Sequence, residues 1–410
     1  MGAAGGEGGA AAVGWIRTAH LGIAARWFSG VGPAGLPVRL IHDSVATMVY
    51  ASLAGALKVG GRGAGVLAAI TPAATSELLS GPEANAVLGA MNGLWGDQLS
   101  RRHPQLAITM GLRSGGEDVH LEREALRATY PAGGHRLAVF LHGLGETEDS
   151  WGRPAEDDDT PGTYGDRLRR ELGMAPLFIR YNTGLRVPEN GEQLAELLED
   201  LVAAWPDRVV ELALVGHSIG GLVIRAATDV AGARGMRWPR LLRHCVYLGT
   251  PHDGAPLAQG VAVLSRALRR LPETAALAQV LDARSAGIRD LETGYAPEAA
   301  DTSTEVEHES LRPVADSGGG TVRHHVIGAT LGSSSRHPLS RTFGDLLVTP
   351  DSAAGRGRNG LALKIEDIDR RELAGLSHFQ LLDHPAVADA LREWLAPETR
   401  TRPKHPRQAR

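Results

Sequence analysis

The stretch that most constrains the fold is residues 209–221, which read VVELALVG followed by HSIGG. The first eight residues are the apolar, β-branched run of a buried strand, and the residues after the elbow favour a helix through about Val230. A strand that turns into a helix through Gly-x-Ser-x-Gly forms a tight elbow, in which the serine backbone is strained and the flanking glycines avoid clashes. Ser218 would project from a helix N-terminus, where the dipole favours developing negative charge. The sequence predicts a nucleophile at Ser218, provided that the chain supplies a base, an acid and an oxyanion site.

From Arg136 onward, short apolar runs alternate with helical segments. This alternation is typical of an α/β fold with a mostly parallel, doubly wound sheet. The predicted strands cover residues 136–143, 176–184, 209–216, 242–250 and 322–330, and the predicted helices cover 191–205, 219–230 and 386–396.

The remaining segments are predicted to flank or interrupt this sheet domain, which spans 131–396. Residues 1–130 are rich in Ala and Gly and are predicted to form an N-terminal helical extension of unknown role. About 254–320 is an inserted helical cap, and 397–410 is a basic tail that is predicted to be disordered. Within the extension, helices are predicted near 39–58, 83–99 and 120–129.

Composition excludes several classes of protein. A net charge of −4 argues against a nucleic-acid binder, and one cysteine, Cys245, excludes an intrachain disulfide. The N-terminus has no basic segment before an apolar one, so a secretory signal is not predicted. Charges and glycines interrupt the most apolar window, 45–70, so a membrane span is not predicted either. His324 and His325 alternate faces of a strand without a carboxylate or cysteine cluster, and we expect neither metal nor cofactor. The sequence predicts a cytoplasmic protein and leaves peripheral contact with a lipid interface open.

A base and an acid follow Ser218 in the order Ser…Asp…His, as a doubly wound hydrolase requires. Asp345 lies in GDLLVTPDSA, after the 322–330 strand, and His378 lies just before the last helix. Asp351 is the alternative acid, beyond a proline. His384 is the alternative base, but its place before Pro385 favours a capping role. The sequence therefore predicts the triad Ser218, Asp345 and His378.

An oxyanion site is predicted where the first strand of the domain ends in FLHGLG. The backbone N–H groups of Leu144 and Ile219 would point at the developing negative charge, and one such donor contributes roughly 10²–10³ in rate. His142, in the same stretch, is predicted to hydrogen-bond within the loop and not to act in catalysis.

Seven stretches in order resemble α/β-hydrolase lipases and esterases of the bacterial triacylglycerol-lipase and GPI-inositol-deacylase-like type. They are FLHGLGETEDSW, RYNTGLRVPENG, LVGHSIGGLVIR, YLGTPHDGAPLA, DARSAGIRDL, GDLLVTPDSA and LSHFQLLDHPAV. The resemblance covers about residues 136–396 and implies an esterase with the triad and oxyanion donors named above. It also implies that 249–254 packs beneath the site. The chain departs from the family where Leu346 follows Asp345, since such enzymes often have Asp-Gly there.

Three functions remain open from the residues: a serine ester hydrolase, an acyltransferase or polyester depolymerase on the same triad, and a non-catalytic hydrolase-fold binding module. The third is the weakest, because all three triad residues are present. The substrate is predicted to be a small-molecule or lipid ester with an apolar acyl part. The acidic stretch 145–159 is predicted to be a solvated loop near the mouth of the site. In the cap, one helix face could serve as a lid or could simply pack on the sheet domain; it carries Leu257, Val261, Leu264 and Leu268.

Overall fold

The computed structural model describes residue 18 and residues 82–152, 162–254, 285–293, 321–330, 345, 348, 350–353 and 368–397. The helix predicted near 39–58, the apolar cap face that begins at Leu257 and the tail beyond 397 lie outside the described residues.

One sheet of eight strands organises the described part of the chain. The strands are β1 (Gly111–Ser114), β2 (Glu117–Val119), β3 (Arg136–Leu141), β4 (Met174–Arg180), β5 (Glu211–His217), β6 (Leu242–Leu248), β7 (Arg323–Thr330) and β8 (Ile368–Ala374). Their spatial order is β2-β1-β4-β3-β5-β6-β7-β8. Neighbours from β4 to β8 pair in parallel, whereas β1 pairs antiparallel with both β2 and β4. The predicted mostly parallel α/β class is confirmed.

Helices cover both faces of the sheet. They are α1 (Pro82–Arg102), α2 (Arg123–Thr129), α3 (Tyr164–Leu172), α4 (Val187–Ala204), α5 (Ile219–Arg234), α6 (Ala286–Thr293), α7 (Pro350–Ala353) and α8 (Pro385–Trp394). The predicted helices at 83–99, 120–129, 191–205, 219–230 and 386–396 correspond to α1, α2, α4, α5 and α8.

The central strand β3 shows why the sheet needs two layers of helices. Leu137, Val139 and Leu141 face a core that includes residues of α4 and α5. Ala138 and Phe140 face a second core with residues of α3 and α8. Because successive side chains of a strand point to opposite faces, a strand whose last five residues are all apolar must be covered on both sides.

Three strands were not predicted from the sequence. β1 and β2 fall inside the segment predicted as a helical extension, so the sheet begins at Gly111, before the predicted boundary near residue 130. β8, with the sequence IDRRELA, exposes most of its residues at the opposite edge. Short or charged edge strands lack the apolar run that reveals a central strand.

No helix among the described residues combines the length and apolar character needed to cross a bilayer.

Candidate active site

Ser218 lies between the end of β5 and the start of α5. Its φ is 53° and its ψ is −125°, and it is the one non-glycine residue with positive φ in the described part of the chain. Its N–H donates to the Leu248 carbonyl at 2.8 Å. Such a backbone costs about 1–3 kcal/mol and persists only where the surroundings impose it. The strand, turn and helix therefore take the elbow geometry that the sequence predicts.

Two glycines make this turn sterically feasible. A Cβ on Gly216 would lie 2.6 Å from the backbone nitrogen of Gly221, and a Cβ on Gly220 would lie 2.7 Å from the carbonyl oxygens of Leu141 and His142. Both distances are well below van der Waals contact, so any side chain at either position would displace backbone.

Asp345 and His378, which are 33 residues apart, are in contact. His378 Nδ1 lies 2.7 Å from Asp345 Oδ2. The other carboxylate oxygen, Oδ1, accepts from the Val348 N–H at 2.8 Å, and the His378 N–H donates to the Asp345 carbonyl at 3.3 Å. Both side chains are buried. The carboxylate is thus fixed from two sides and orients the imidazole with Nδ1–H towards it.

The second ring nitrogen of His378, Nε2, is buried and has no hydrogen-bond partner among the described residues, Ser218 Oγ included. Buried polar atoms are rarely left unpaired, and a general base that tightens onto its nucleophile only with substrate bound has this appearance. Burial by itself would lower the pKa of His378, but the Asp345 carboxylate and, more weakly, Glu146 raise it above its ordinary value. The environment therefore stabilises an imidazolium at this position.

Of the two predicted oxyanion donors, Leu144 lies in the loop 142–147 that follows β3, here called the oxyanion loop, and Ile219 is the first residue of α5. The Gly143 N–H donates to Glu146 Oε2 at 2.7 Å, and the Gly145 N–H donates to Thr183 Oγ1 at 3.0 Å. The Leu144 N–H between them donates to no described residue. Leu144 also packs against an apolar cluster that contains Ile219. The Ile219 N–H lies in the first turn of α5, where backbone N–H groups have no acceptor within the helix. The N–H groups of Leu144 and Ile219 therefore both remain available to a ligand.

Helix α1, from the predicted extension, packs directly on the oxyanion loop. A Cβ on Gly89 would lie 2.9 Å from the carbonyl oxygens of Gly145 and Glu146, and one on Gly93 would lie 2.8 Å from Gly145 Cα. Ser285 Oγ, in the described part of the predicted cap, donates to the Gly93 carbonyl at 2.6 Å. α1 is therefore a wall of the site, which was not predicted from the sequence. Its only signal is two glycines four residues apart on one helix face.

The prediction that residues 145–159 are a solvated loop is wrong for its first residues. Glu148 is buried and accepts from Arg180 Nη2 at 2.6 Å and from Arg113 Nε at 3.1 Å. Glu146 accepts from the Gly143 N–H and faces His217 Nδ1 at 3.2 Å. Neither carboxylate is solvated, because the fold supplies cations or N–H donors for each. Neither Glu146 nor His217 was predicted as a functional residue.

The alternatives considered from the sequence occupy other places. His384 caps α8, as predicted, since its Nδ1 accepts from the Ala386 N–H at 3.2 Å. Asp351 lies in the short helix α7. His142 is structural, as predicted: its Nδ1 bonds the Gly143 carbonyl at 3.0 Å, and its Nε2 accepts from the Tyr181 N–H at 3.3 Å.

Residues 249–254 lie against the site, as the resemblance implies. Gly249 has a φ of 59°, and a Cβ there would lie 2.8 Å from Cε1 of the His378 ring. Thr250 and His252 are fully buried, and Thr250 fills the space next to Gly221 on α5. This segment therefore packs against the imidazole ring of His378.

A mostly parallel sheet with a strained Gly-x-Ser-x-Gly turn between a central strand and its helix decides the architecture. The fold is that of the α/β-hydrolases. No protein-family model and no curated protein matches the sequence of the chain.

Solved structures similar to this chain include lipases, esterases and a thioesterase. The mature lipase BlEst2 of Bacillus licheniformis is 17% identical, with 64% of this chain and 93% of that chain covered and a TM-score of 0.42. The RedJ thioesterase from the prodiginine pathway of Streptomyces coelicolor is 21% identical, with 65% and 91% covered and a TM-score of 0.37. A thermophilic esterase from Thermogutta terrifontis is 14% identical, with 64% and 90% covered and a TM-score of 0.36. The roles of residues in the present chain rest on its own geometry.

Proposed function

We propose that the chain is a serine hydrolase that cleaves carboxylic esters through an acyl-enzyme intermediate. Ser218 is the nucleophile, His378 the general base and Asp345 the acid that orients it. The N–H groups of Leu144 and Ile219 are the oxyanion donors.

One observation carries this proposal: a buried Asp345–His378 pair leaves a buried Nε2 without a partner in the described part of the chain, in the same site as a serine at positive φ. Each of these features alone is a cost to folding, because strain and unsatisfied polar atoms both destabilise the native state. Catalysis by a triad gives each of them a use.

In the first step, Ser218 Oγ attacks the ester carbonyl carbon while its proton passes to His378 Nε2. Asp345 stabilises the resulting imidazolium, and the two amides bind the negatively charged oxygen of the tetrahedral intermediate. The intermediate collapses with loss of the alcohol, which takes its proton from His378. Water then attacks the acyl-enzyme by the same route and releases the acid.

An exposed aromatic side chain beside the base is evidence that the substrate carries an apolar group. Phe379 is 46% exposed, although Leu381 and Leu382 in the same turn are buried. Its ring stands edge-on to that of His378, with centroids 5.8 Å apart. A large apolar side chain beside the base favours an acyl or alcohol part that buries apolar surface on binding. A small-molecule or lipid ester meets this requirement.

The test is hydrolysis of p-nitrophenyl esters from acetate to palmitate by the wild type and by Ser218→Ala. Ser114→Ala, at the end of β1, is a matched control. We expect wild type and Ser114→Ala to be active with a maximum at one chain length, and Ser218→Ala to be inactive. Activity that survives Ser218→Ala, or no activity of the wild type on any ester, would contradict the proposal.

A further inference from the structure

A second acid–histidine pair lies beside the proposed triad. It consists of Glu146 in the oxyanion loop and His217, the last residue of β5. Glu146 Oε2 accepts from the Gly143 N–H at 2.7 Å and faces His217 Nδ1 at 3.2 Å. The other nitrogen of His217, Nε2, lies 3.3 Å from the carbonyl oxygen of His378. One chain of contacts thus joins the oxyanion loop, the elbow and the turn 378–382 that carries the base, here called the base turn.

The pair is closely packed. His217 is fully buried, with its ring 4.7 Å from the His378 ring and edge-on to Trp151 at 6.4 Å. A Cβ on Gly143 would lie 2.8 Å from His217 Nδ1 and 3.1 Å from Glu146 Cδ, so the backbone of the oxyanion loop packs closely against both side chains. Any change in the position of His217 must therefore move either the oxyanion loop or the base turn.

Both ring nitrogens of His217 thus face oxygen atoms that can accept a hydrogen bond, Glu146 Oε2 on one side and the His378 carbonyl oxygen on the other. Glu146 is an anion in this setting. Burial by itself would raise its pKa, but His217 and the Gly143 N–H together hold it at about 2. A fixed negative charge therefore lies close to the proposed base in addition to that of Asp345.

We infer that Glu146 and His217 are positioning residues of the ester-cleaving site: they hold the oxyanion loop, the elbow and the base turn in one arrangement, and the Glu146 carboxylate stabilises the imidazolium that forms on His378. This inference rests on the proposed function. Neither residue takes or gives a proton in the reaction. The proton of Ser218 goes to His378 Nε2 and from there to the leaving alcohol, while Glu146 keeps its charge throughout.

The alternative role of the Glu146–His217 pair is to stabilise the fold only. The pH dependence of activity distinguishes this structural role from the positioning role. Among the described residues, the titratable and charged groups that face His378 are Asp345 from the segment after β7, Glu146 from the oxyanion loop and His217 from β5. Asp345 supplies the larger effect. The acid limb of kcat/KM follows protonation of the free base, so removal of the Glu146 charge must move that limb to lower pH. Loss of fold stability alone would lower the amount of active protein without moving the limb.

The experiment measures kcat/KM against pH on the best p-nitrophenyl ester for wild type, Glu146→Gln and the exposed-residue control Glu196→Gln. Glu146→Gln keeps the shape and a hydrogen-bonding group but removes the charge. We expect its acid limb to lie lower by roughly half a pH unit to one unit and its kcat to fall about tenfold. Glu196→Gln should match the wild type in both. An acid limb of Glu146→Gln that coincides with that of the wild type overturns the inference.

A second variant decides the case if Glu146→Gln does not fold. His217→Gln leaves the Glu146 charge in place but breaks the link from the oxyanion loop to the base turn. Its kcat should fall about tenfold without a downward shift of the acid limb. A folded His217→Gln with the kcat of the wild type overturns the positioning role. A wild type without esterase activity would instead mean that the proposed function fails, which is a distinguishable outcome.

Discussion

Replacement of Gly93 by alanine tests whether the N-terminal helix α1 sets the position of the oxyanion loop. The new Cβ would lie 2.8 Å from Gly145 Cα and 2.9 Å from the Gly145 nitrogen. Carbon atoms pack at about 3.5–4.0 Å, so helix and loop must separate by about 0.8 Å. Such overpacking costs about 1–3 kcal/mol, against a gain of up to about 1 kcal/mol in helix propensity.

The larger consequence is for the rate. Gly145 follows Leu144, a proposed oxyanion donor, and its N–H is fixed by Thr183. Because a misplacement of about 1 Å in a catalytic group can lower a rate by about 10²-fold, we expect kcat to fall about 10- to 100-fold, with a smaller change in KM. The assay is steady-state hydrolysis of the best p-nitrophenyl ester, with urea unfolding measured on the same sample.

Gly232→Ala is the matched control, since Gly232 also lies in a helix but has nothing within 4 Å of the position that a Cβ would take. It should gain about 0.5–1 kcal/mol in stability and keep full activity. If Gly93→Ala folds and has the same kcat as Gly232→Ala, α1 does not control the oxyanion loop and the reasoning is refuted.

Three further substitutions test other parts of the structure. Asp345→Asn should lower kcat about 10³–10⁴-fold at nearly constant KM, because the amide neither fixes the tautomer nor stabilises the imidazolium; a small loss would point to another acid. Glu148→Gln should destabilise the fold by about 3 kcal/mol in urea unfolding because it leaves Arg180 buried without its carboxylate, whereas the exposed Glu196→Gln should change stability little. Burial lowers the pKa of His325 from an ordinary 6.5 to about 3. At a pH between about 3 and 6.5, unfolding therefore takes up a proton, and the free energy of unfolding falls as the pH is lowered through this range. His325→Asn should flatten that pH dependence by up to about 1.4 kcal/mol per pH unit, and an unchanged slope would contradict the assignment of a neutral, buried imidazole.

The parts of the fold that could be predicted from the sequence are those with a local cause. The strand before Ser218 is a continuous apolar run, and the elbow is a five-residue pattern, so both follow from adjacent residues. β8 and the hairpin of β1 and β2 could not be predicted in this way, because edge strands are short or charged and carry no apolar run.

The residues of the candidate site likewise fall into those that could be predicted from the sequence and those that could not. Contact between Asp345 and His378 could be predicted from the order of the chain relative to Ser218, although their catalytic roles stay a proposal. Glu146 and His217 could not, because an acidic residue in a Gly-rich loop looks solvated until the fold places a histidine and a backbone N–H against it. Burial and pairing of such groups arise from contacts between distant segments, which no local pattern encodes.

Covalent trapping shows whether Ser218 is an activated nucleophile. The full chain would be incubated with an alkyl fluorophosphonate, and the adduct would be located by mass spectrometry of the intact protein and of its peptides. We expect one adduct, on Ser218, that is absent from Ser218→Ala and much slower to form in His378→Ala. No adduct on the folded wild type, or an adduct on another residue that survives Ser218→Ala, would contradict it.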